Sequence, residues 1–155
     1  MFMKTTKIFL LLIAMLFAVA FTACGGGDEG GGGGNQPPVD STPSISNLQY
    51  SPSSATLNQG GGAITVYGSY DFIDHGGDLN GGFVTIKVYD QNNNLTSNTS
   101  TPFTGDITGI TSGTLGGPVT VNTTVAGIFR FVLQITDGKG NKSNELTGIF
   151  TVTVS

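Results

Sequence analysis

From about residue 44 to the C-terminus, apolar residues recur at every second position, the spacing of strands with one buried face. Residues 45–50 form a short first strand, stopped by Ser51-Pro52. Residues 63–72 place Ile64, Val66, Gly68, Tyr70 and Phe72 on one face, and Thr65, Tyr67, Ser69 and Asp71 on the other. Residues 83–89 turn Val84, Ile86 and Val88 inward. Gln91 and three asparagines make a turn. Residues 119–125 turn Val119, Val121 and Val125 inward. Residues 128–136 set Phe129, Phe131, Leu133 and Ile135 against Arg130, Val132, Gln134 and Thr136. Residues 146–154 close with Leu146, Phe150, Val152 and Val154 on one side. Between residues 95 and 115 the pattern is weakest, and short edge strands are expected near Phe103 and Ile107 to Ile110.

Helical spacing is absent from this part of the chain. Strands of this number and length, in a segment of ~110 residues, fit an all-β, immunoglobulin-like β-sandwich of about seven antiparallel strands. The chain has no tryptophan and one cysteine, so an antibody-type core with its disulfide is excluded.

The N-terminus follows another rule. Lys4 and Lys7 precede an unbroken apolar run, residues 8–21, shorter than the ~20 residues of a membrane span. Small residues Thr22 and Ala23 then lead to Cys24, and the whole reads as a cleaved export signal. The segment Phe21-Thr22-Ala23-Cys24 resembles the lipobox of bacterial lipoproteins, with Phe21 where leucine is usual. The resemblance implies that residues 1–23 are removed. It also implies that Cys24 becomes the mature N-terminus, carrying thioether-linked diacylglycerol and usually an N-acyl chain such as palmitate. Two or three acyl chains suffice for stable membrane attachment. Glycine at position 25 then favours the outer membrane under the enterobacterial sorting rule, and Asp28-Glu29 resembles surface-export signals of some bacteria.

Residues 24–43 are rich in glycine and then proline, and have too little apolar surface, with Val39 the one aliphatic side chain, to repay ordering. They read as a tether with a typical end-to-end distance of ~25 Å. No strand precedes Gly30 to Gly34 and no Lys-Ser/Thr follows, so a phosphate-binding loop is excluded. Only 10% of the chain is charged, and loss of residues 1–23 leaves Lys87, Arg130, Lys139 and Lys142 against ten acidic residues. An acidic, sparsely charged surface argues against nucleic acid.

Two segments carry a second resemblance. Gly68-Ser-Tyr-Asp71-Phe-Ile-Asp74-His-Gly-Gly-Asp78-Leu looks like the B–C corner of bacterial immunoglobulin-like modules of the PKD, cadherin-like and fibronectin-III-like group. Ala126-Gly127-Ile-Phe129-Arg-Phe131-Val-Leu133-Gln-Ile-Thr-Asp137-Gly-Lys-Gly140-Asn141 looks like their F-strand corner. Such modules serve as spacers, adhesins and binding domains, so the likeness speaks to fold more than to activity.

In that topology the two corners share one end of the sandwich. Asp71, Asp74, Asp78, Asp137 and Asn141 then become candidate Ca²⁺ ligands, since Ca²⁺ takes six to eight oxygens at flexible positions. Their spacing is not that of an EF-hand. The alternative is turn capping, the commonest use of Asp beside glycine. His75, the one histidine, would need Asp74 and Asp78 to hold zinc, and an exposed loop position is its ordinary reading. Asp74 and Asp78 could pair as acid and base, but paired acids on a turn are usually solvated and no apolar pocket is evident. Tyr67 and Tyr89 are expected to point outward from adjacent strands and could seed a protein or glycan contact. The expectation is an envelope lipoprotein displaying a non-enzymatic module with no required cofactor, for a protein or polysaccharide partner. A carbohydrate-binding module is the alternative, and a small hydrolase a more remote one.

Overall fold

A computed structural model describes residues 41–155 with the exception of Gln59. The export signal, Cys24 and the tether up to residue 40 lie outside the described residues. Eight strands follow in order: β1 (Ser44–Ser51), β2 (Ser54–Leu57), β3 (Gly62–Ile73), β4 (Phe83–Tyr89), β5 (Leu95–Pro102), β6 (Ser112–Thr123), β7 (Gly127–Thr136) and β8 (Leu146–Val154). They form two sheets, β1-β3-β6 and β2-β8-β7-β4-β5, in an immunoglobulin-like sandwich. One pairing departs from the antiparallel expectation: β2 runs parallel to β8, with Ser54 opposite Thr151.

The alternating residues build the core. Ile45, Tyr70, Phe72 and Leu115 from the three-stranded sheet meet Val84, Ile86, Val88, Leu133 and Ile135 from the five-stranded one. A second cluster, Leu57, Ile64, Val66, Phe150 and Val152, fills the other end. A cavity of about 60 Å³ remains between the sheets beside Gly68, Gly116 and Gly117, which bring no side chain to it. Tyr50 crosses between sheets: its hydroxyl donates to Ile149 O and accepts from Ile149 N, both at 3.0 Å. Its ring stands edge-on to Phe131, with centroids 5.0 Å apart. Asn144 makes a second bridge, accepting from Ile45 N at 2.8 Å and donating to Ile45 O at 2.9 Å.

Six expectations change. Val154, expected on the inner face with Phe150 and Val152, is exposed at the end of β8. The strand between residues 95 and 115 is β5, and residues 103–111 are a loop in which Ile107 is buried as an anchor. β2 is an additional strand, too short to show alternation. Val125 is exposed, since β6 ends at Thr123. Val132 is buried although it sits on the outer face, because β7 is an inner strand and Val132 lies between Lys87 and Thr147 of its neighbours. Tyr67 and Tyr89 stand on β3 and β4, which belong to different sheets and are not adjacent.

Candidate acidic corner between the β3–β4 and β7–β8 loops

The β3–β4 loop (residues 74–82) and the β7–β8 loop (residues 137–145) meet at one end of the sandwich. Gly138 N donates to Asp78 O at 2.8 Å, and Asp74 N donates to Thr111 O of the β5–β6 loop at 2.7 Å. The approach of the two loops depends on glycine. A methyl group on Gly82 would overlap Thr136 O, and one on Gly138 would overlap Asn80 O and fall 2.9 Å from Asp78 O. Leu79, wholly buried, roots the β3–β4 loop in the core.

This junction brings Asp74, Asp78 and Asp137 together, with one carboxylate oxygen of each within 4.8 Å of the others. Asp74 is 0% exposed and Asp137 2% exposed, contrary to the expectation of solvated turn acids. Both also cap turns. Asp74 Oδ2 accepts from Asp78 N at 2.9 Å. Asp137 Oδ1 accepts from Lys139 N and Asn141 N, and its Oδ2 accepts from Asn141 Nδ2 at 2.9 Å. Turn capping therefore explains every oxygen of Asp137. It leaves Asp74 Oδ1 and Asp78 Oδ1 buried without a donor. Asp78 Oδ2 pairs with the half-exposed Lys139 ammonium at 2.9 Å. Burial, then the nearby Asp78 and Asp137 charges, push the Asp74 carboxyl above its ordinary range, partly offset by the backbone donors.

The five expected ligands do not all converge. Asp71 lies on the outer face of β3, where it accepts from Asn47 Nδ2 and Thr114 Oγ1, each at 2.7 Å. It joins the three strands of its sheet. Asn141 folds back onto Asp137. His75 is exposed and is not among the grouped side chains. Lys139 was hidden in the sequence: its only signal is its place two residues after Asp137 in a glycine-flanked turn. On the sandwich faces, Tyr67 is exposed, whereas the Tyr89 ring is covered by the Arg130 guanidinium at 4.2 Å.

Three grouped carboxylates, two buried and one partly buried, offer only oxygen, the chemistry of a hard divalent cation. Comparison with known families and with curated proteins finds no match to this chain.

Proposed function

We propose that the protein is a membrane-anchored lipoprotein of the bacterial envelope that displays a non-catalytic immunoglobulin-like module to a protein or polysaccharide partner. The observation that carries this reading is the order of parts along the chain. An apolar run ends in the lone cysteine at Cys24, a glycine- and proline-rich segment follows, and the sandwich begins at Ser44. The lipid on Cys24 confines the module to a surface. The tether lets it sample a radius of ~25 Å, which raises its effective concentration toward membrane-bound partners. The outer membrane is the destination that Gly25 favours.

A glycan platform built on a row of aromatic rings finds less support. Tyr67 and Tyr89 lie on different sheets, and Arg130 covers the Tyr89 ring.

Fractionation of cells expressing the wild type and Cys24→Ala tests the anchor. The wild type should sediment with membranes and the variant should become soluble. Identical fractionation of the two would refute the proposal.

A further inference from the structure

The acidic corner has a feature that turn capping does not explain. Asp74 is completely buried, yet its Oδ1 has no donor. Asp78 Oδ1 beside it is also without a donor. A buried carboxylate oxygen is costly unless something positive or a donor meets it. Among the described residues, the ammonium paired with the corner is that of Lys139, which meets the other oxygen of Asp78 and is half in solvent.

Size narrows what could meet these oxygens. Two oxygens on one Ca²⁺, each at 2.3–2.6 Å, lie at most about 5 Å apart, whereas Mg²⁺ draws its ligands within about 4.2 Å. Three oxygens that lie within 4.8 Å of one another fall inside the Ca²⁺ limit, and small side-chain shifts bring them to bonding distance. The group contains no nitrogen or sulfur ligand that would favour zinc.

We propose that Asp74, Asp78 and Asp137 form a Ca²⁺ site in which the ion displaces the Lys139 ammonium from Asp78. Bound there, Ca²⁺ crosslinks the β3–β4 loop to the β7–β8 loop and stiffens that end of the sandwich. Water completes the coordination shell. The site does not depend on the lipid anchor, and either can fail without the other.

The experiment uses the full chain, purified in detergent, stripped with chelator and titrated with CaCl₂. Calorimetry should report one ion per chain, with a Kd of about 10⁻⁴–10⁻³ M, the range of extracellular modules. Saturating Ca²⁺ should raise the melting temperature by about 5 °C or more, and MgCl₂ should raise it less. Asp74→Asn and, as a second variant on the more accessible residue, Asp78→Asn should each abolish the Ca²⁺-dependent shift. Lys139→Gln should tighten binding about two- to fivefold, because a weak competing charge is removed. An unchanged melting temperature at about 10 mM CaCl₂, well above that Kd range, overturns the site. So does a shift that persists in both Asn variants. If the wild type ignores Ca²⁺ and Asp74→Asn is more stable in chelator, the open oxygen carries a shared proton, and the site is again overturned. Weaker binding by Lys139→Gln contradicts the displacement.

Discussion

Gly148 is the position where the sequence alternation and the sheet packing make the sharpest joint demand. It lies on β8 opposite Phe131 of β7, on the face where Tyr50 crosses from the other sheet. A methyl group there would overlap Phe131 Cζ, lie 2.5 Å from Phe131 Cε1 and come within 2.9 Å of Tyr50 Cε1. The φ of Gly148 is not positive, so alanine fits the backbone and only the rings object. Displacing the Phe131 ring costs about 1–3 kcal/mol of overpacking strain. Loss of its edge-on contact with Tyr50 adds about 0.5–1.5 kcal/mol. Reduced freedom of the unfolded chain returns roughly 0.4–1 kcal/mol. Gly148→Ala should therefore destabilise the protein by about 1–3 kcal/mol net. Urea denaturation of wild type, Gly148→Ala, Phe131→Ala and the double variant checks this as a cycle. With Phe131 truncated, alanine at position 148 should be neutral or stabilising by up to about 1 kcal/mol. An equal loss in both backgrounds would refute the assignment of Phe131 as the group that glycine accommodates.

Leu79→Ala should cost about 2–5 kcal/mol, because Leu79 is wholly buried although it lies in a loop, and thermal or urea denaturation checks this. A loss below about 0.5 kcal/mol would place the loop outside the core. Asp71→Asn should cost about 0.5–1 kcal/mol at pH 7, the low end for a bond to a charged group because solvent screens it. The Asn47 bond, then the Thr114 bond, hold the Asp71 carboxyl below its ordinary value in the folded state. Its contribution is thus present above about pH 4 and is lost as pH falls through the depressed folded value, so the gap between the two proteins should narrow steadily as pH is lowered below about 4. A gap that does not narrow would assign the effect to shape instead of charge.

The legible strands were those with one apolar face against one polar face. β4 matches its alternation end to end, β8 as far as Val152, and β3 and β7 nearly so. β5, with the sequence LTSNTSTP, is an edge strand without a buried side chain, so no alternation marks it. In the first half of β6, Leu115 alone is buried among glycines and small polar residues, and the strand surfaces in the pattern only near Val119. β2 offers just Ala55 and Leu57, and its pairing to β8 is long-range information.

The acidic corner was half legible. Proximity of Asp74, Asp78 and Asp137 follows once two loops are assigned to one end of a sandwich. The fates of Asp71 and Asp74 do not, although three positions separate them. Asp71 is still in β3 and faces outward, where Asn47 and Thr114 meet it. Asp74 follows the last strand residue and is enclosed where three loops converge. The meeting of the two loops there depends on close backbone approach at Gly82 and Gly138, which in sequence look like ordinary turn glycines.

The central claim is that a lipid on Cys24 holds this sandwich at a membrane. Mass spectrometry of the N-terminal peptide of the protein isolated from cell membranes tests it most directly. The mature chain should begin at Cys24 and carry the mass of a thioether-linked diacylglycerol, with or without a further acyl chain. A chain that begins at another residue, or that presents Cys24 as an unmodified thiol, would contradict the claim.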